Sequence, residues 1–176
     1  GEGKLVVLPT DTVYGIGCDA FNNDAVETLL ATKRRGPDMP VPVLVGSWVT
    51  IQGLVREFTE TAKTLVEAFW PGGLSIVVPE APSLPWNLGD TRGTVLLRMP
   101  NQPLALELLQ ETGPLAVSSA NRTGMTAAVT AEQAREMLGD SVRVYLEDGP
   151  RTEGMDPAGE GTADAQPVAS TIVDCT

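Results

Sequence analysis

Apolar and polar positions alternate along this chain between short β-rich runs and amphipathic stretches. "KLVVLP" (4–9) is a compact apolar run stopped by Pro9, and "VPVLVG" (41–46), "LSIVVP" (74–79) and "TVLLRMP" (94–100) repeat that pattern. "PLAVSSAN" (114–121) is a short strand running into a polar loop, and "RVYLED" (143–148) and "VASTIVD" (168–174) complete the series. Between these runs the apolar spacing becomes helical. "NNDAVETLLATKRR" reads as a helix capped by Asn22 or Asn23, with Val26, Leu29 and Leu30 on one face and Gly36-Pro37 at its end. A helix from about Thr59 to Trp70 carries Ala62, Leu65, Val66 and Phe69 as its buried stripe, and Pro71-Gly72-Gly73 breaks it. Further helices are read on 103–113, with Gly113 as the stop, and on "AEQAREMLG", opened by the capping box Thr130-x-x-Gln133.

Strands alternating with helices predict an α/β domain. At 176 residues the chain suits one domain, 1–176, with a sizeable core. Residues 149–167 are rich in Gly, Pro, Ala and acids and read as a mobile loop. Strand-like residues run close to Thr176, so the chain is expected to be a piece of a longer protein, trimmed at both ends. No apolar run reaches the roughly 18 residues of a membrane helix, and "LVVLP" is too short for a signal-peptide core. A cytoplasmic location is the expectation.

Composition narrows the chemistry. A formal net charge of −11 argues against a general nucleic-acid coat, which needs concentrated positive charge, but leaves room for a small basic pocket. The absence of histidine removes Ser-His-Asp triads, Cys-His pairs and His-ligated metals. Cys18 and Cys175 cannot form a four-cysteine zinc site, and a reduced compartment fits them better than a disulfide. Chemistry must therefore rest on Lys, Arg, hydroxyls, amides, carboxylates or a metal carried by a ligand.

Gly15-x-Gly17-x-x-Ala20 mimics a dinucleotide fingerprint, but five residues separate Pro9 from Gly15 and the next helix starts after the motif. Lys33, Arg34 and Arg35 stand where an acidic ribose ligand belongs, so a dinucleotide fold is rejected. Thr10, Asp11 and Thr12 lie at a strand end, either as a turn satisfying its own backbone or as part of a ligand site. Lys33 and Arg35 either complement a helix C-terminus or grip phosphate, the latter only if the helix has unwound between them. Arg98, in an apolar strand, faces solvent or meets a carboxylate at the strand's end. Ser118, Ser119 and Asn121 suit a small polar ligand, and Ser170-Thr171 bring hydroxyls into a strand where Thr171 is also ordinary β material.

Taken in order, "PTDTVYGIG", Lys33-x-Arg35, "FWPGGLSIVV", "LLRMP", "SSAN" and "STIVD" resemble the YrdC-like domain family over residues 5–174. The resemblance implies a twisted mixed β-sheet flanked by helices around a large concave, positively lined cavity. It implies a nucleotidyltransferase, threonylcarbamoyl-AMP synthase, which condenses L-threonine, bicarbonate and ATP to threonylcarbamoyl-adenylate and pyrophosphate with Mg²⁺ assisting. The adenylate then goes to partner proteins that modify an adenosine beside the anticodon of certain tRNAs. Matched to the family's motifs, Lys33, Arg35, Ser119 and Asn121 serve the ATP phosphates and the carbamoyl group. Thr10, Thr12 and Arg98 match positions that hold threonine, Ser170 a nucleotide contact, and Tyr14 belongs to the signature. Ser118 stands where the family commonly has proline, beside the adenine position, and Arg34 where it has a small residue; Arg34 is expected to point to solvent. No protein cage for the metal is implied, because Mg²⁺ binds largely through phosphates and water. Lys33→Ala is expected to cut synthesis and leave the fold intact, since a helix-end lysine adds little stability. The alternative is a double-stranded RNA or tRNA-binding module of the same fold without synthase activity.

Overall fold

A computed structural model describes residues 3–36, 38–151 and 170–176. The strands are β1 (Val6–Leu8), β2 (Gly15–Asp19), β3 (Val43–Leu44), β4 (Leu74–Pro79), β5 (Thr94–Arg98), β6 (Leu115–Ser119), β7 (Val144–Tyr145) and β8 (Thr171–Asp174). The helices are α1 (Asn23–Lys33), α2 (Trp48–Leu54), α3 (Glu60–Phe69), α4 (Pro103–Thr112) and α5 (Ala131–Leu138). They join one mixed sheet of order β7-β1-β2-β6-β3-β5-β4-β8, with β1–β7, β3–β5 and β4–β8 parallel and the other pairs antiparallel.

Helix starts follow local chemistry. The Asn22 side chain accepts from Ala25 N at 3.0 Å, and Thr59 and Thr130 do the same for Ala62 and Gln133. In α3 the buried positions are Ala62 and Val66, with Leu65 half-buried. Phe69 is 59% exposed, against expectation, because the extended residue Trp70 turns into the core in its place. Sequence reading also missed α2, and it read no strand at β2. Gly15 and Gly17 pair within the sheet to Leu8 and Val6 on one side and to Ser119 and Val117 on the other. A Cβ on either glycine would lie 2.6 or 2.7 Å from a methyl of Val117. These glycines admit a neighbouring side chain, not a phosphate. The proposed mobile loop, apart from 149–151, lies outside the described residues.

The helices are distributed unevenly over the two faces of the sheet. Residues of α1, α2, α3 and α5 pack with Val7, Ile16, Val43, Ile76 and Leu97 in the main core. Of the helices among the described residues, only α4 covers the opposite face, where Ala105 and Leu109 meet Leu8, Leu44, Leu115 and Val117. Strand alternation sends Ser75, Leu96 and Arg98 to that second face. One helix cannot fill it, and a cavity of about 370 Å³ remains beside α4.

Candidate active site

The cavity is floored by Gly15, Leu44, Leu96 and Val117 and carries hydroxyls from Thr10, Thr12, Ser75, Ser118, Ser119 and Ser170. Arg98 is the single charged residue among the described residues of its lining. Ser75, 2% exposed, is a site residue that sequence reading missed. Its signal was a lone hydroxyl in the apolar run of β4.

The Thr10–Thr12 turn resolves its two readings by hydrogen-bond direction. Thr10 Oγ1 donates to Val13 O at 2.6 Å and accepts from Thr12 N at 3.2 Å. Its proton is thereby spent, so in the 3.1 Å contact between the two hydroxyls Thr12 donates. Thr12 Oγ1 in turn accepts from Arg98 Nη1 at 3.1 Å. Thr10 is saturated and shapes the turn, whereas Thr12 keeps one lone pair for a ligand. Arg98 Nε donates to Gly72 O at 3.1 Å, and Nη2 donates to the Asp11 carboxylate. Three of five guanidinium N–H groups are engaged by described residues, and two remain without a partner among them, the number a carboxylate takes in a forked pair. Burial pulls the Arg98 pKa down, and Asp11 offsets part of that.

The basic residues form the second half of the site. Arg34 N bonds Ala31 O at 3.0 Å and Arg35 N bonds Leu30 O at 2.9 Å, the paired closure of a Schellman motif. Arg34 itself sits in the left-handed region, φ 55° and ψ 43°, with its side chain exposed as expected. That reversal is the unwinding that brings Lys33 and Arg35 to one segment, 118–121. Lys33 Nζ donates to Ser119 O at 2.5 Å and Asn121 O at 2.9 Å, with Asn121 Oδ1 at 3.2 Å and Ser119 Oγ at 3.4 Å. Arg35 Nη1 donates to Ser118 Oγ at 3.1 Å, using a hydroxyl that a proline there would lack. Lys33 is 3% exposed, so it is no solvent-facing helix-end residue, and its removal would strip the 119–121 turn of its donor. Burial, and secondarily Arg35, lowers the Lys33 pKa from 10.5 to about 8.

Asn121 and Tyr14 are held largely by the protein itself. The Asn121 amide donates to Arg122 O at 3.0 Å and Met125 O at 2.6 Å, while Oδ1 accepts from Ser119 Oγ at 2.5 Å. Tyr14 lines the cavity, but its hydroxyl donates to Gly149 O at 2.8 Å and accepts from Asp148 N at 3.0 Å. Its phenol is a strut for the segment after β7. Ser170 stands at the start of β8 on the cavity wall. Lys33 and Arg35 are not in the lining itself; they stand behind Ser118 and Ser119.

Among the described residues no group of three or more acids or cysteines is placed to hold a metal ion. The donors on offer are hydroxyls, amides and carbonyls, which fit a magnesium ion carried on phosphates better than one bound by protein alone.

The chain is similar to known proteins. A Bacillus subtilis protein named threonylcarbamoyl-AMP synthase is 36% identical over 95% of this chain and 49% of its own length. A Mycobacterium tuberculosis protein named "Putative threonylcarbamoyl-AMP synthase" is 58% identical over 99% of this chain and 74% of its own. The crystal structure of Pyrococcus abyssi Sua5 complexed with L-threonine superposes with a TM-score of 0.86 at 32% identity, covering 98% of this chain and 47% of that one. The chain thus spans about half of two of these relatives and three quarters of the third. The Sua5/YciO/YrdC family model, described as "Telomere recombination", matches residues 1–158. With the sheet, the cavity and the joined lysine–serine–asparagine cluster in place, the chain belongs to the Sua5/YciO/YrdC family.

Proposed function

We propose that this chain is the catalytic domain of a threonylcarbamoyl-AMP synthase. One observation carries the reading: a single cavity has a guanidinium with two uncommitted N–H groups at one side and a lysine–arginine cluster behind its other wall. The first suits the carboxylate of an amino acid, with the spare lone pair of Thr12 facing an amine or hydroxyl donor. The second suits nucleotide phosphates. The P. abyssi relative crystallised with L-threonine supports threonine as the amino acid.

The reaction follows from these two halves. The amine of threonine and bicarbonate give a carbamate and water, and a carbamate oxygen attacks the α-phosphorus of ATP as pyrophosphate leaves. Such transfer needs alignment and neutralised charge more than a protein nucleophile, which agrees with a chain that has no histidine. Arg98 and Thr12 orient the amino acid. Lys33 and Arg35 offset phosphate charge from a dry, fixed position, with Ser118, Ser119 and Asn121 setting their geometry. Ser170 and the ring of Tyr14 bound the nucleotide side. Mg²⁺ supplies charge neutralisation on the phosphates when bound. No helix among the described residues is long and apolar enough to cross a membrane, and both cysteines are free, in keeping with a cytoplasmic, reducing setting. We further assign the product to proteins that transfer the threonylcarbamoyl group to tRNA.

Pyrophosphate release from ATP, Mg²⁺ and bicarbonate is the test, with L-threonine, L-serine or no amino acid, on wild type and Arg98→Ala. Threonine-dependent release is expected, and Arg98→Ala should raise the threonine requirement far more than the ATP requirement. No threonine-dependent release from folded protein, together with salt-sensitive affinity for double-stranded RNA, would replace this reading with the binding-module one.

A further inference from the structure

Asp11 is the middle residue of the Thr10–Thr12 turn, and the reaction above gives it no task. Thr10 and Thr12 line the cavity, whereas Asp11 lines a neighbouring groove, shared with Thr12, beside Leu65, Phe69 and Gly73. Its carboxylate nevertheless reaches Arg98 Nη2, and the two side chains are only 17% and 8% exposed. The guanidinium is therefore gripped at all three nitrogens, by Gly72 O, Thr12 Oγ1 and Asp11. Gly72 O and Thr12 Oγ1 are neutral acceptors, so among the described residues Asp11 alone balances the buried charge. A buried cation left without its counter-ion is strongly unfavourable.

Charge balance has a consequence for the ligand. An isolated Arg98 would attract any carboxylate. Paired with Asp11, it forms a subsite of zero net charge that still has two N–H groups to donate. A plain carboxylate then adds an uncompensated negative charge beside Asp11, whereas a zwitterionic amino acid brings its own ammonium. We propose that Asp11 is the positioning and charge-balancing residue of the amino-acid subsite, making it take a zwitterionic α-amino acid in preference to the corresponding carboxylate without an amine. This rests on the reading of Arg98 and Thr12 as the amino-acid subsite. Asp11 acts through Arg98 and touches no reacting atom.

The experiment is calorimetric titration of the full chain, as wild type, Asp11→Asn and Asp11→Glu. The probes are L-threonine, 2,3-dihydroxybutanoate (the amine replaced by hydroxyl) and ATP. Asp11→Asn keeps a hydrogen-bond acceptor and removes the charge. It should weaken threonine by about tenfold, a change of roughly 1.4 kcal/mol, leave ATP unchanged, and leave 2,3-dihydroxybutanoate unchanged or tighter. Asp11→Glu keeps the charge on a longer arm and should retain the preference for the amine at lower affinity. Equal shifts for both carboxylates, or none, in Asp11→Asn would overturn the proposal. So would an Asp11→Glu protein without amine preference, which covers the case of an Asn variant that does not fold. Wild type that binds ATP but ignores threonine would overturn the subsite reading itself, and this proposal with it.

Discussion

The low pKa of Lys33 links catalysis and stability in opposite directions, and pH separates them. The native group titrates near 8, against 10.5 unperturbed, because it is 3% exposed and desolvated, with Arg35 adding repulsion. In the unfolded chain it keeps its ordinary pKa. Between about pH 8 and 10.5 the native state has shed a proton that the unfolded state still holds, so unfolding takes up a proton there. This group's contribution to stability must therefore rise with pH across that window. The displacement corresponds to at most roughly 3 kcal/mol, and we expect about 1–3 kcal/mol. Catalysis runs the other way, because the neutral amine no longer offsets phosphate charge. The assay pairs urea unfolding of wild type and Lys33→Met at pH 7.5 to 9.5 with kcat/KM for ATP over the same range. Wild type should gain stability relative to the variant as pH rises while its kcat/KM falls with an apparent pKa near 8. Parallel stability profiles would refute the desolvation argument. A kcat/KM flat to pH 9.5 would refute the role of the Lys33 charge.

Three further outcomes follow from particular contacts. Arg34→Gly should raise Tm by about 2–4 °C in thermal unfolding, since a non-glycine residue in the left-handed region costs roughly 1–2 kcal/mol and glycine's unfolded-state entropy offsets part of that, leaving about 1 kcal/mol, and turnover should not change. Tyr14→Phe should lose about 1–3 kcal/mol in urea unfolding, because Asp148 N–H and Gly149 C=O lose their partner, with little change in the threonine KM. Gly15→Ala should cost about 1–3 kcal/mol by overpacking against Val117. Adding Val117→Ala should restore most of that loss; no recovery would mean that the clash lies elsewhere.

Much of the frame was legible before the structure. The run of β4 and the cap of α5 at Thr130 were read with their observed bounds, because an apolar run and a cap box are local signals. Helix α1 was legible except for its last turn, where an arginine adopts the left-handed conformation that glycine usually takes. Strand β2 went unread because glycine is a poor strand former, while the cause of its glycines is the side chain of Val117 on a strand about a hundred residues away. Phe69 was misplaced because helical periodicity cannot say that Trp70, just beyond the helix, will claim the core.

By itself the sequence determined the alternation of elements, the exclusion of histidine chemistry and the set of polar residues at strand and helix ends. These depend on near neighbours and composition, which a chain carries whatever its fold. Tertiary structure alone decided which polar residues are committed. It saturated Thr10 and left Thr12 an open lone pair, and it tied Lys33 to Ser119 and Asn121 across 86 and 88 residues. It also set Asp11 against Arg98. Hydrogen-bond donors and lone pairs are few per residue, and only three-dimensional contacts settle which of them remain for a ligand.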